Sequence, residues 1–201
     1  MNASTIRRPL LVLSTALLLT GALAACGSSV RARTGYIPRS VQMTELNDMT
    51  QEWRGGARIA DFTSVTVAEV ATPNTGAYGD ISDEKLAEVR TVLQKALSEE
   101  LAQLRPSGAG GRTLVVRAAV TAIKPNNPLL NVAPQTQILK RGYGYASCEI
   151  YATDGEAGPV VAAFMQTSDT QRLSTEKHSD TGTAERASKD WAKAFRELIA
   201  R

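Results

Sequence analysis

The side chains that could do acid–base or metal chemistry are few and lie far apart along the chain. His178 is the one histidine in the sequence, and no paired cysteines accompany it, although a zinc site needs three or four ligands. Glu149 and Asp154 are close enough in sequence to be considered as an acid and a base. Alternation along a predicted strand places Glu149 on its polar face, and Asp154 lies in a turn, so we interpret both as structural. We therefore expect no catalytic residue, no metal site and no cofactor.

A cysteine near the N-terminus offers a different kind of chemistry. Cys26 ends the tetrapeptide Leu23-Ala24-Ala25-Cys26, which follows two arginines at 7–8 and closes an apolar stretch over residues 10–25. These three parts are typical of an export signal, and the stretch is too short and interrupted for a membrane span of about 20 residues. The tetrapeptide resembles the bacterial lipobox, whose cysteine takes a diacylglyceryl group. We predict a signal peptide over residues 1–25, cleavage between Ala25 and Cys26, and lipidation of Cys26.

The residues after Cys26 indicate where the anchored protein resides. Gly27 and Ser28 follow it, whereas an Asp in this place tends to retain lipoproteins of Gram-negative bacteria in the inner membrane. The resemblance therefore implies the periplasmic face of the outer membrane, held by acyl chains such as palmitate. We predict a flexible tether over residues 26–33 and a single periplasmic domain over residues 34–201. An ordinary secretory signal with an incidental cysteine is the alternative.

The charge balance excludes one class of partner. The chain has 23 Lys and Arg against 20 Asp and Glu, and removing the two arginines at 7–8 with the signal leaves 21 against 20. A chain this close to neutral has no large basic field that would attract nucleic acid. Hydrophobic residues make up 43% and aromatic residues 5%, which predicts a core of Leu, Val and Ala without a large aromatic cluster.

The second cysteine, Cys148, has no partner in its own chain once Cys26 is lipidated. An exposed lone thiol would be a liability in an oxidising compartment. Cys148 falls on the small, apolar side of a predicted strand, together with Ala146 and Ile150. We predict that it is buried as a small apolar side chain, with an intermolecular disulfide or a reactive thiol as the alternatives.

The distribution of apolar and turn residues predicts an α+β domain. Alternating or β-branched segments between turn residues predict strands at 65–70, 112–124, 143–153 and 160–167. Helical apolar spacing predicts two helices, one capped by Ser82 and ended by Pro106, the other capped by Thr183. Residues 34–58 predict only an irregular or partly strand-like arm. The order β-α-β-β-β-α favours a mostly antiparallel sheet of about four strands with both helices on one face.

Short motifs spread along the chain are similar to those of a known family. They are Thr34-Gly35-Tyr36-Ile37, Asp61-Phe62-Thr63-Ser64-Val65, Ile81-Ser82-Asp83-Glu84, Arg117-Ala118-Ala119-Val120-Thr121, Pro128-Leu129-Leu130-Asn131, and Ala146-Ser147-Cys148-Glu149-Ile150 with Asp154-Gly155. The chain resembles the uncharacterised bacterial lipoproteins grouped as domain-of-unknown-function family 3313. Where that family often has a Thr-Gly-Glu turn, this chain has Asp154-Gly155-Glu156. The resemblance implies the localisation and the fold, and it implies no activity because the family has none assigned.

Two segments have the composition of a contact surface. Leu129, Leu130 and Val132 form an apolar loop between prolines, which either folds over the sheet edge or contacts a protein or lipid. Basic residues at 140–141 precede Tyr143 and Tyr145, which could face a cell-wall sugar or a polyanion. An ordinary exposed sheet face is the alternative for the tyrosines.

Together these patterns favour a lipoprotein anchored in the outer membrane that faces the periplasm and is not an enzyme. Its expected role is to bind a protein partner or a cell-wall component during assembly or maintenance of the envelope. One alternative is an envelope hydrolase or transferase with an unrecognised site. The other is a purely structural lipoprotein of the envelope.

Overall fold

The computed structural model describes residues 33–132, 142–170 and 178–201. The predicted signal peptide, Cys26 and most of the predicted tether lie outside the described residues, as do the basic residues at 140–141. The strands are β1 Thr44–Asn47, β2 Thr50–Arg54, β3 Ser64–Val67, β4 Thr113–Lys124, β5 Tyr145–Asp154 and β6 Val160–Asp169. The α-helices are α1 Asp83–Leu101, α2 Pro128–Val132 and α3 Gly182–Ala200, and a 3-10 turn spans Ile59–Asp61.

The strands of the described residues form one six-stranded sheet in the order β1-β2-β6-β5-β4-β3. Neighbouring strands are antiparallel except β3 and β4, which run parallel. The α+β class is confirmed. The sheet is mostly antiparallel, as expected, but it has six strands and not about four, and one of its pairs is parallel. The parallel pair arises because β3, α1 and β4 follow one another, and a crossover through a helix returns the chain in the same direction.

The two additional antiparallel strands, β1 and β2, lie within residues 34–58, for which the sequence predicts only an irregular or partly strand-like segment. β1 and β2 form a hairpin, and β2 adds to β6 with Thr50 opposite Gln166 and Arg54 opposite Ala162. Their sequences, TELN and TQEWR, have one β-branched residue each and no alternation of apolar residues, so they do not mark a strand. Pairing with β6 supplies the strand structure, and that contact is invisible in the local sequence.

Helix α1 begins and faces the sheet as its sequence predicts. The hydroxyl of Ser82 accepts a hydrogen bond from the backbone N–H of Lys85 at 3.4 Å. Hydrogen bonds from its own backbone N–H and from Ser82 hold the pKa of the Glu84 carboxyl below its ordinary value. Every third or fourth side chain along the helix is buried against the sheet: Val89, Leu93, Ala96, Leu97 and Leu101.

The N-cap of helix α3 differs from the predicted one. Its N-cap position is Thr181, and the predicted cap Thr183 lies inside the first turn. The Thr183 hydroxyl donates instead to the side chain of Asn126 at 3.2 Å. The cap prediction failed because a distant partner takes this hydroxyl, whereas Thr181 meets Glu185 at 2.5 Å between hydroxyl and carboxylate.

The main core lies between the sheet and the two long helices, α1 and α3. Leu, Val and Ala supply most of it, as expected. A few aromatic side chains also lie there: Trp191, Phe62 and Phe195 are fully buried, and the rings of Phe164 and Phe195 are 6.5 Å apart. The aromatic residues are few, but the fold concentrates them where helix meets sheet.

A β-bulge in β4 changes which side chains reach this core. The pairing between β4 and β5 shifts between Val120 and Ala122. After the shift Ile123, and not Ala122, joins the helix-side core. The strict alternation predicted for β4 therefore holds up to Val120 and reverses beyond it.

Candidate functional site

The face of the sheet opposite the helices carries a buried carboxylate. We call this the outer face, and Glu149, Tyr151, Ala163 and Met165 are its central residues. Glu149 has no exposed surface, and among the described residues it is the only buried side chain that carries a formal charge. Glu149 does lie on the face opposite Cys148, as alternation predicts, but that face is not open to solvent at Glu149 because a segment of the chain covers it.

The covering segment is residues 33–43, which we call the arm. One carboxylate oxygen of Glu149 accepts hydrogen bonds from the Thr34 backbone N–H at 2.6 Å and from its hydroxyl at 2.8 Å. The other oxygen accepts one from the backbone N–H of Ile37 at 2.8 Å. A buried carboxylate needs such donors to offset its lost hydration. Glu149 thus holds the arm against the sheet.

Arg33 fixes the shape of the arm itself. Its guanidinium donates to the backbone carbonyls of Ile37 at 3.1 Å, Pro38 at 2.6 Å and Val41 at 3.0 Å. Gly35 supplies a backbone turn with φ of 92°, a conformation that side chains other than glycine rarely adopt. The arm is consequently a closed turn with its own internal hydrogen bonds.

Apolar and aromatic contacts also pack the arm against the outer face of the sheet. Ile37 and Val41 are buried in a small cluster with Ala163 and Met165. The ring of Tyr36 meets that of Tyr151 edge to face, with centroids 5.5 Å apart. Burial, followed by the nearby phenol of Tyr151, raises the pKa of Tyr36 to about 12. The phenol therefore stays neutral at physiological pH.

Asp154, the other carboxylate considered for acid–base chemistry, is held in an ion pair at one end of the sheet, and so is the nearby Glu156. Arg112 donates to Asp154 at 2.7 Å and 3.2 Å, and this bond holds the pKa of Asp154 below its ordinary value. Arg117 donates to the Glu156 carboxylate at 2.5 Å and to the Thr153 hydroxyl at 2.8 Å. These contacts tie the β5–β6 hairpin to β4, which is a structural use of the groups.

The remaining nucleophile and base candidates lie apart from these groups. His178 is exposed, at the start of the last described segment. Cys148 has no exposed surface, so its predicted burial is confirmed, and that burial raises the pKa of the thiol well above its ordinary value. Cys148 points into the helix-side core, on the opposite face from its neighbour Glu149.

Some residues of the predicted contact surface are exposed and others are buried. Leu129 is 86% exposed and Leu130 is 38% exposed, and both lie on the short helix α2 and not on a loop folded over the sheet edge. The backbone of Val132 ends that helix, and its side chain lies outside the described residues. Tyr145 is half-buried, whereas Tyr143 is buried and so is withdrawn from any exposed surface.

A polar cluster explains why the chain turns inward at Tyr143. The side-chain oxygen of Asn126 accepts hydrogen bonds from the Gly144 backbone N–H at 2.8 Å and from the Thr170 hydroxyl at 2.6 Å. A Cβ on Gly144 would collide with the carbonyl of Lys124, so only glycine allows this close approach. The cluster holds the residues just before β5 inside the protein, and it also holds Asn126, which lies just before α2.

Three surface grooves of the described residues are lined by residues other than the central ones of the outer face. One of about 260 Å³ lies between the end of β6 and the start of α3, and one of about 180 Å³ lies beside the middle of α1. A third, of about 340 Å³, lies between β3 and the end of α1. Neither Glu149, Asp154 nor His178 lines any of these three.

Residues 33–132, 142–170 and 178–201 contain neither a metal-ligand grouping nor a membrane-spanning helix. Within these ranges no three His, Cys, Asp or Glu side chains are grouped so that they could hold a metal ion. No helix in them combines the length and the apolar character needed to cross a membrane.

The sequence contained a weak signal for the Glu149 contact. A charged residue stands inside Ala146-Ser147-Cys148-Glu149-Ile150, a run otherwise small or apolar, and this run and Thr34-Gly35-Tyr36-Ile37 are both motifs of the family resemblance. The structure brings the two motifs into direct contact. Alternation alone missed the contact because it cannot tell an exposed face from one that another segment covers.

Comparison with known proteins identifies a family without a described activity. A family model described as "Protein of unknown function (DUF3313)" matches residues 42–195, well over half of the chain, so the resemblance is confirmed. No curated protein matches the chain. A PelC dodecamer from Paraburkholderia phytofirmans is 15% identical with a TM-score of 0.44, over 76% of this chain and 97% of that one. A lipoprotein candidate from Caulobacter crescentus is 13% identical with a TM-score of 0.35, over 71% and 89%.

Proposed function

The chain belongs to the DUF3313 family, and from that premise we propose that it is a lipid-anchored binding module of the bacterial envelope. Cys26 is lipidated after removal of residues 1–25, and the domain stands on the periplasmic face of the outer membrane. There it binds a protein partner or another envelope component and carries out no catalysis.

The observation that carries this proposal is the docking of the arm by Glu149. The chain passes from Cys26 to Arg33 in seven residues, which span about 25 Å when fully extended. Directly afterwards, the backbone of Thr34 and Ile37 is held by a buried carboxylate of the sheet. Such a connection suits a domain that works within a short distance of a membrane, since it leaves little free chain between anchor and fold.

The structural contacts of the acidic groups support a binding role over a catalytic one. Glu149 accepts hydrogen bonds on both oxygens from the arm, and Asp154 is paired with Arg112. A general base must reach a substrate proton, and neither carboxylate lines one of the three grooves described above. Leu129, exposed on α2, is instead the kind of apolar side chain that contacts a partner.

Metabolic labelling tests the anchor. Cells fed an alkyne analogue of palmitate should label the wild-type protein and the Cys148→Ala variant, but not Cys26→Ser. The Cys148→Ala variant is the matched control because it removes the other cysteine of the chain. Density separation of the membranes should place the labelled protein in the outer-membrane fraction and Cys26→Ser in the soluble periplasm. Label on Cys26→Ser, or none on the wild type, would contradict the proposal.

Crosslinking in intact cells tests the binding role. A defined crosslinked complex of the wild-type protein should be weakened in Leu129→Ser and kept in Leu46→Ser. Leu46 is the control because it is also a large exposed apolar residue, 53% exposed, but lies on strand β1. Equal complex formation by both variants would exclude α2 as the contact.

A further inference from the structure

The two outermost strands of the described sheet differ in how their free edges are protected. β1 carries Glu45, and its pairing is broken by an irregularity between Glu45 and Asn47. Charged residues and bulges on an edge strand are means by which proteins prevent the addition of a further strand. β3 reads Ser-Val-Thr-Val, without charge or proline, and pairs regularly with β4 from Ser64 to Val67. One edge is therefore protected and the other is open.

A groove lies directly beside the open edge. Val65, Thr66 and Val67 of β3 line it on one side, and Ser98, Leu101 and Ala102 at the end of α1 line it on the other. We call this the β3 groove, and its volume is about 340 Å³. None of these six side chains carries a charge.

The exposure of β3 matches what an added strand would require. Val65 and Val67 are half-buried on the helix side, whereas Ser64 and Thr66 are exposed. Alternate side chains of a strand paired with β3 would face the β3 groove, and the others would face solvent on the far side. The backbone would supply the hydrogen bonds and the groove would select side chains of small size.

We propose that the β3 groove binds an extended, uncharged segment of a partner protein, which adds to β3 as a strand and seats small apolar side chains against Val65, Val67 and Leu101. The proposal rests on the proposed function as a binding module and names the chemistry of its partner. An uncharged segment is required because a charged side chain in this groove would lose its hydration without meeting an opposite charge.

The size of the site favours a peptide segment over a second copy of the chain. Four residues of β3 present an edge of about 13 Å, at about 3.3 Å for each residue. A stable complex of two folded proteins buries about 800 Å² on each partner, which a four-residue edge does not approach. A single extended segment needs only the edge and the groove beside it.

A peptide titration tests the proposal on the full-length lipidated protein in detergent. The probe is a fluorescein-labelled seven-residue peptide of alternating Thr and Val, compared with the same peptide N-methylated at alternate backbone nitrogens. Fluorescence anisotropy should show binding of the unmodified peptide, and Thr66→Lys should weaken it at least tenfold. Thr44→Lys is the matched control, because it places the same charge on β1, and should leave the affinity unchanged.

Several results would overturn the proposal. These are equal affinity for Thr66→Lys, equal affinity for the N-methylated peptide, or no binding at millimolar peptide. A wild-type dimer in light scattering that Thr66→Lys dissociates would assign the edge to a second copy. Ser98→Lys changes the β3 groove from the helix side and should give the same loss, which protects the test if Thr66→Lys folds poorly. Palmitate labelling of Cys26 does not depend on any of these results. Failure of the β3 groove proposal would therefore not contradict the proposal that the domain is anchored through Cys26.

Discussion

The two faces of the sheet are closed in different ways. On the inner face, α1 and α3 bury a continuous apolar core that includes Trp191 and Phe195. On the outer face, a single segment of the chain packs its own Ile37 and Val41 against Ala163 and Met165 of the sheet and is held by the carboxylate of Glu149. Apolar burial is spread over many residues, whereas hydrogen bonds to one carboxylate depend on one side chain. The inner face therefore supplies most of the stability, and the outer face supplies a specific attachment.

This difference separates two tasks that many small domains combine. A change on the inner face should lower the free energy of unfolding of the whole domain. A change at Glu149 should release the arm while the sheet and helices stay folded, because the arm has few apolar contacts of its own. The following predictions test that separation, in order of decreasing effect.

The largest effect is expected in the inner core. Phe195→Ala should lower the free energy of unfolding by about 3–5 kcal/mol, because it removes a fully buried ring that packs near Phe164. Chemical denaturation followed by circular dichroism measures this change. Phe195→Leu, which keeps an apolar side chain, should cost clearly less. Equal losses for the two variants would mean that the ring itself, and not the buried apolar volume, determines the cost at this position.

A smaller and more local effect is expected at the buried carboxylate. Glu149→Ala should cost about 2 kcal/mol, because the Thr34 and Ile37 N–H groups lose their buried acceptor. Hydrogen exchange should become faster at these two amides and stay unchanged in the middle of β4. Glu45→Ala, on exposed β1, is the control that should change neither. Uniformly faster exchange throughout the domain would contradict the separation of the two faces.

The aromatic contact of the arm should contribute less again. Tyr36→Ala should cost about 1 kcal/mol, because it removes an edge-to-face contact with Tyr151 and part of the cover of the outer face. Tyr36→Phe keeps the ring and should recover most of that loss. Differential scanning calorimetry of the three proteins measures both changes. A Tyr36→Ala loss as large as that of Phe195→Ala would show that the arm is part of the main core.

The smallest effect is expected at the end of the sheet where Asp154 is paired with Arg112. Its pKa is lowered from an ordinary value of 3.8, so the pair stabilises the folded state above that pH. The contribution is lost as the pH falls through the lowered pKa of the folded state. Asp154→Asn should thus be less stable than wild type at neutral pH, and the difference should shrink in acid. Asp48→Asn, in the β1–β2 turn, is the control, and a difference that grows in acid would reverse the assignment.

Features decided by neighbouring residues were predictable from the sequence. The start of α1 follows from Ser82 and the two acidic residues after it, and its buried face follows from apolar spacing. The burial of Cys148 follows from alternation within β5. In each case the deciding contacts lie within one element, so the local pattern contains them.

Features decided by distant contacts were not predictable in this way. The backbone N–H that meets Glu149 belongs to Thr34, 115 residues away along the chain. The hydroxyl of Thr183 is taken by Asn126, 57 residues away, and the hairpin of β1 and β2 exists because β6 is present to pair with it. Polar residues of this kind read as surface or cap residues until the fold brings their partners together.

The docked arm also determines how a mechanical load would travel through the protein. A pull on the chain before Arg33 meets the hydrogen bonds of Thr34 and Ile37 to the single carboxylate of Glu149 within four residues of one another. Because these bonds converge on one rigid strand in the middle of the sheet, they share the force and do not open one after another. Tension is therefore delivered to β5 at the centre of the sheet, and the edge strands and both long helices are spared from it.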